Sequence, residues 1–90
     1  MDKLAAIQLM SALAQPTRME VFLALRDRAD GMSVGELAKL VDTPPNTMSS
    51  HLSILGRAGA VVASRSGRVV TYSVDPEAVA ALGSFLSGKM

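Results

Sequence analysis

The spacing of apolar residues changes period at Ala60. Before it, apolar side chains recur at three- and four-residue intervals. After it come two runs rich in β-branched residues, Val61-Val62-Ala63-Ser64-Arg65 and Val69-Val70-Thr71-Tyr72-Ser73-Val74, separated by Ser66-Gly67. The first spacing buries one stripe of a helix, and the second fits half-buried strands joined by a short turn. The chain is therefore constrained to helices first and a hairpin afterwards. Ninety residues make a single domain, 1–90, with one modest core.

Leu4, Ile7, Met10, Leu13 and Ala14 predict an amphipathic helix over 3–14, ended by Pro16, which disfavours helical geometry at the residue before it and suits the first turn of the next helix. Met19, Val21, Phe22, Leu23 and Leu25 give that second helix a broad apolar face to about Arg28, and Asp30-Gly31 stops it. Ser33 followed by Glu36 is a capping-box pattern for a third helix whose buried side is read as Leu37, Leu40 and Val41. Thr43 is expected to cap a fourth helix with Pro44 in its first position, Met48, Leu52 and Leu55 as its inner stripe, an end near Ala58, and Gly59 as terminator. Asp75-Pro76-Glu77 opens a last helix with Val79, Leu82, Phe85 and Leu86 on one face. The expected fold is mainly α with a β-hairpin wing: four helices, a hairpin and a C-terminal helix.

Composition narrows the function. There is no Cys, which removes disulfides, thiolate metal sites and a thiol nucleophile. Phe22, Tyr72 and Phe85 are the only aromatics, too few for a platform that stacks single-stranded bases. The N-terminus lacks the pattern of a signal peptide and no run is long and apolar enough to span a membrane, so a soluble cytoplasmic protein without a membrane partner is expected. No Ser-His-acid arrangement or phosphate loop is present, and Asp75 with Glu77 reads as an acidic helix start, so no catalytic residues are assigned. Met10, Met19, Met32 and Met48 read as core or gap-filling side chains, with a thioether metal site as the remote alternative.

Charge is distributed unevenly. Residues 43–74 hold three basic and no acidic side chains, leaving six basic and eight acidic elsewhere, so a segment of +3 lies in a remainder of −2. Such one-sidedness is the footprint of a nucleic-acid surface. A short helix followed within a few residues by another is the layout of a helix-turn-helix, here joined by Val41-Asp42-Thr43 in place of the usual glycine, which suggests a looser turn. With Met48, Leu52 and Leu55 inward, the outward positions of the fourth helix are Asn46, Thr47, Ser49, Ser50 and Ser53, short polar side chains that suit a helix pressed into a major groove. An ordinary solvated face is the competing reading, but such faces normally carry Lys and Glu. His51 on the same helix admits a DNA contact, a packing role or, least favoured for a lone imidazole, a metal ligand. Arg65 and Arg68 flank the hairpin turn and are assigned to DNA; Arg57 is assigned there too, although it could serve its own helix's carbonyl end.

Ala12-Leu13-Ala14-Gln15-Pro16-Thr17-Arg18, Ser33-Val34-Gly35-Glu36-Leu37-Ala38, Met48-Ser49-Ser50-His51-Leu52-Ser53-Ile54-Leu55 with Ala58-Gly59, and Arg65-Ser66-Gly67-Arg68 with Tyr72 together resemble the ArsR/SmtB family of winged helix-turn-helix repressors. The resemblance covers nearly the whole chain. It implies a homodimer on double-stranded operator DNA in the bacterial nucleoid, with 33–58 as helix-turn-helix, 60–74 as wing and 1–15 and 76–90 as dimerisation helices. Thr43, Asn46, Thr47, Ser49, Ser50, His51, Ser53, Arg57, Arg65 and Arg68 fall to the DNA surface, and Leu4, Ile7, Met10, Val79, Leu82, Phe85 and Leu86 to the dimer interface. It also implies that Arg18 is structural and lies near Glu36. A winged helix that binds proteins instead of DNA is the rival from another class.

The family's three sensing arrangements are not matched. A Cys-Val-Cys run on the third helix is replaced by Ser33-Val34-Gly35, a His-bearing last helix by one with only Asp75 and Glu77 at its start, and a thiol-bearing tail by Phe85-Leu86-Ser87-Gly88-Lys89-Met90. No metal ligands or cofactor are therefore assigned and the inducer is left open. A metalloid-responsive repressor whose thiol-bearing tail is missing or altered in this chain is the alternative.

Overall fold

In the computed structural model, residues 1–88 are described, in the order α1 (Lys3–Leu13), α2 (Pro16–Arg26), β1 (Met32–Ser33), α3 (Val34–Leu40), α4 (Pro45–Arg57), β2 (Val61–Ser66), β3 (Val69–Val74) and α5 (Pro76–Ser87). Of the segment 76–90 expected to dimerise, Lys89 and Met90 lie outside the described residues. Mainly helical architecture with a β-wing is what the period change at Ala60 required.

One core holds the helices together. Leu9, Val21, Leu25, Leu37, Met48, Leu52 and Leu55 are completely enclosed, joined by Phe22, Met32, Ala60 and Val61. Truncating any of these leucines to alanine should cost about 2–5 kcal/mol, because the close-packed surroundings refill the space only in part. The second helix is half-embedded, with Met19 and Leu23 partly exposed; Met10 likewise faces solvent, so only Met32 and Met48 of the four methionines are core residues.

Helix ends follow local chemistry. The capping box of α3 forms: Ser33 Oγ accepts from the Glu36 amide at 3.2 Å and the Glu36 carboxylate accepts from the Ser33 amide at 2.9 Å. Those bonds hold the Glu36 carboxyl below its ordinary value, the Ser33 backbone amide being the main cause and its side chain the next. Both ends of the helix-turn-helix close in the same way. After α3, the Thr43 amide donates to Ala38 O at 2.9 Å and the Asp42 amide to Lys39 O at 3.4 Å; after α4, Ala60 donates to Leu55 O at 2.9 Å and Gly59 to Gly56 O at 3.1 Å. This is the paired Schellman closure, which needs a left-handed residue just past each helix. Gly59 supplies it at φ +87° and Asp42 at φ +50°. The inter-helix turn is thus tight, not loose, because aspartate tolerates the left-handed region better than most side chains.

Four expectations about elements are corrected. Thr43 does not cap α4: its hydroxyl donates to Val41 O at 3.2 Å, Pro44 occupies the cap position in extended geometry and Pro45 the first helical one. Leu40 is 61% exposed, so the buried side of α3 is Leu37 and Ala38, with Val41 packed at the edge. A two-residue strand, β1, adds to the hairpin and makes a three-stranded antiparallel sheet of order β1-β3-β2, with Met32 opposite Tyr72 and Ser33 opposite Thr71. Ser66 pairs with Val69, which moves the hairpin turn to Gly67-Arg68. Only Gly67 of the two has positive φ, +63°, matching a turn with glycine in its first central position.

Candidate nucleic-acid interface

The fourth helix is held from behind and open in front. Met48, Leu52 and Leu55 anchor one side in the core, while Asn46, Thr47, Ser49, Ser50 and Ser53 are all exposed. Two of these side chains are engaged locally: Asn46 Oδ1 accepts from the Thr47 amide at 3.0 Å and Ser50 Oγ donates to Asn46 O at 3.3 Å. The rest present hydroxyls to solvent on a helix whose start carries no side-chain cap. Pro45 has no N–H and the Thr47 amide is taken by Asn46 Oδ1, so it is the macrodipole, more than free amides, that favours an anionic neighbour at this end.

The hairpin stands away from the body. From Val62 to Val69 every residue is exposed, and the base is tied back by the Asp75 amide donating to Ala60 O at 3.1 Å. Arg65 lies on β2 and Arg68 in the turn, both exposed, as is Arg57 at the end of α4. Among the described residues the ion pairs are Arg26 with Asp27 at 3.1 Å and Arg28 with Asp30 at 3.8 Å, both far along the chain from this segment. The acid-free stretch 43–74 therefore coincides with α4 and the wing, and none of its three arginines is neutralised by an acid among the described residues.

Thr43 and His51 are placed differently from the outward row. Thr43 is half-buried in the turn between α3 and α4. His51 is half-buried on the flank of α4, with Nδ1 3.5 Å from Arg18 Nη1. Arg18 does not pair with Glu36 as its expected neighbourhood suggested. Its Nε donates to Ala12 O at 2.7 Å, and Glu36 is committed to Ser33. The Arg18–His51 contact was not readable in the sequence, since 33 residues separate the two and no spacing rule links them.

The stripes assigned to a partner are exposed. On α1, Leu4 is 63% and Ile7 51% exposed, with Met10 beside them, whereas Ala6, Leu9 and Ala12 form the buried face. On α5, Val79, Phe85 and Leu86 are exposed and only Leu82 packs against the core from the predicted row; no residue of α5 is fully buried.

Among the described residues no three His, Asp or Glu side chains converge as a metal ion would need, and no helix is long and apolar enough to cross a membrane. A cleft of about 600 Å³ opens between α2, β3 and α5, lined by Phe22, Leu25, Val74 and Val79, with Arg26 and Arg28 at its rim already paired to Asp27 and Asp30.

Residues 13–62 match the family described as a helix-turn-helix domain. The chain is 43% identical to the HTH-type transcriptional repressor SmtB of Mycobacterium tuberculosis over 68 residues, 76% of this chain and 49% of that one. It is 38% identical to the HTH-type transcriptional regulator CmtR of Mycobacterium bovis over 88 residues, 96% of this chain and 72% of that one. It thus spans about half the length of SmtB and most of CmtR. Among solved structures it is similar to an ArsR family transcriptional regulator (28% identity, TM-score 0.83, 98% of this chain and 89% of that chain). It is also similar to the homodimeric winged helix-turn-helix DNA-binding domain of a Mycobacterium bovis protein (25% identity, TM-score 0.77, 93% and 76%).

Proposed function

Because this chain belongs to the ArsR/SmtB family of winged helix-turn-helix transcriptional regulators, a non-enzymatic DNA-binding family, we propose that it represses transcription as a homodimer seated on an inverted-repeat operator. One observation carries the reading: the longest stretch without acids folds into an outward row of short polar side chains on α4 and an exposed wing whose arginines have no acid partner among the described residues. Asn46, Thr47, Ser49, Ser50 and Ser53 reach base edges in the major groove, since short donors and acceptors let the helix backbone approach closely. Arg65 and Arg68 from the wing and Arg57 from the end of α4 take phosphates, which fix register without reading sequence. Thr43 and His51 act from the flanks of that row.

Dimerisation follows from what the core leaves uncovered. Leu4, Ile7 and Met10 on α1 and Val79, Phe85 and Leu86 on α5 form apolar surface that water would otherwise meet. A two-fold partner covers both stripes, with Leu82 at the inner edge, and sets two copies of α4 about 34 Å apart, one turn of DNA. The homodimeric state of the similar Mycobacterium bovis domain supports this arrangement. The three metal-sensing ligand sets that the family resemblance implies have no counterpart in residues 1–90, so on this reading these residues do not sense zinc or arsenite by those routes.

The test is selection of bound sequences from random duplex DNA. The reading predicts enrichment of a two-fold repeat with half-sites about one helical turn apart. Recovery of unenriched sequence, with binding that vanishes at moderate salt, would reject it.

A further inference from the structure

We propose that Arg18 is a positioning residue that locks the rotation of α4 to α1, and so sets how the outward row meets DNA. The proposal rests on the repressor reading above. Arg18 sits in the first turn of α2, half-buried, with its own amide held by Gln15 Oε1 at 2.9 Å. Its Nε donates to Ala12 O at 2.7 Å, one of the last carbonyls of α1, where the helix has no following amide to offer and a cation is favoured. Its Nη1 lies 3.5 Å from Nδ1 of His51, in the middle of α4. One planar guanidinium thus spans the helix that carries the exposed apolar stripe and the helix that carries the polar row.

A guanidinium only donates, so in a bond between the two it is Nδ1 of His51 that accepts. The rest of the packing behind α4 is apolar: its Met48, Leu52 and Leu55 share one core with Leu9, Val21, Leu25 and Leu37. Apolar packing of that kind tolerates small rolls and slides, losing uniqueness of arrangement before it loses stability, whereas directional bonds fix an angle. His51 follows Ser50 directly and precedes Ser53 by half a turn, so a roll of α4 that broke the Arg18 contact would also carry Ser49, Ser50 and Ser53 off their bases. Because α1 is part of the dimer surface, the same bond ties the half-site spacing of the dimer to the attitude of each α4.

The experiment is a double-mutant cycle of Arg18→Lys and His51→Ala, read by anisotropy on the selected operator, on that operator with one base pair added between half-sites, and on random duplex. Lysine keeps the charge, but a single ammonium does not reproduce the fork that reaches both acceptors. Each single change is expected to lower the preference for operator over random DNA by about 10-fold and to weaken the penalty for the altered spacing; Arg18→Lys, which removes no side chain of the DNA surface, is expected to hold random-duplex affinity within about 2-fold. The double variant is expected to be no worse than either single one. His51→Gln, whose amide oxygen can accept, should recover most of the preference. Additive losses, unchanged spacing dependence, or losses that simply follow melting temperature would overturn the proposal. A wild-type protein that selects no operator would instead refute the repressor reading itself, so the two failures are distinct.

Discussion

Gly31 and Gly59 offer a controlled test of how the wing is attached to the helical body. Their backbones are nearly alike, φ +81° and φ +87°, in the region where an L side chain costs about 1–2 kcal/mol. Their surroundings differ. A Cβ on Gly59 would meet nothing within 4 Å, whereas one on Gly31 would lie 2.7 Å from Tyr72 O and 3.4 Å from Tyr72 C, both backbone atoms of β3. An ordinary carbon–oxygen contact is about 3.3 Å or more, so the chain entering β1 or the strand beside it must shift. Such overpacking typically adds about 1–3 kcal/mol. Gly59→Ala is thus expected to cost about 1–2 kcal/mol and Gly31→Ala about 2–5 kcal/mol, measured by urea unfolding at one fixed protein concentration because the proposed dimer would couple association to stability. Equal losses at the two positions would refute the claim that Gly31 is required for the close approach of β1 to β3.

Ser33→Ala should destabilise the protein by about 1 kcal/mol through loss of the α3 cap. Since the Glu36 carboxyl is held below its ordinary value when folded, its contribution is present above the ordinary carboxylate range and is lost as pH falls through the lowered value. Urea midpoints of wild type and Glu36→Gln should therefore converge in acid, and parallel curves would contradict this. Ile7→Glu or Phe85→Glu places an unpaired charge in the proposed dimer face and should weaken association on the order of 100-fold or more. Light scattering would show a folded monomer, and an unchanged dimer would remove these stripes from the interface. Zinc or arsenite added to a preformed operator complex should leave its anisotropy unchanged; dissociation at stoichiometric metal, reversed by a chelator or a dithiol, would place a metal site among these residues and refute the reading.

The inner stripe of α4 was legible because Met48, Leu52 and Leu55 are its clearest apolar residues and the positions between them are mostly short and polar. Helix α1 was harder, since it is apolar on two sides. The larger residues Leu4, Ile7 and Met10 dominate the periodic pattern, yet Ala6, Leu9 and Ala12 fill the core, and two of those are too small to stand out in sequence. Leu40 misled for a related reason: α3 is only seven residues long, too short for periodicity to separate its faces. The cap of α4 slipped by one because two consecutive prolines compete for the first helical position, and the second takes it. A two-residue strand such as β1 has no signal of its own and exists through pairing with β3. The outward polar row and the acid-free segment were both visible in sequence; the half-buried placement of His51 against Arg18 depends on tertiary packing and was not.

The division of labour between α4 and the wing is tested most directly by measuring operator and random-duplex affinity across a salt series for Ser49→Ala and for Arg68→Ala. The account predicts that Ser49→Ala lowers operator preference by about 1–3 kcal/mol if it removes a good base contact, while leaving the salt dependence as it was. Arg68→Ala should weaken both DNAs together and reduce the slope of log affinity against log salt by about 1 per subunit, roughly 2 per dimer. An Arg68 variant that lost preference but kept its salt slope, or a Ser49 variant that weakened both DNAs equally, would contradict it.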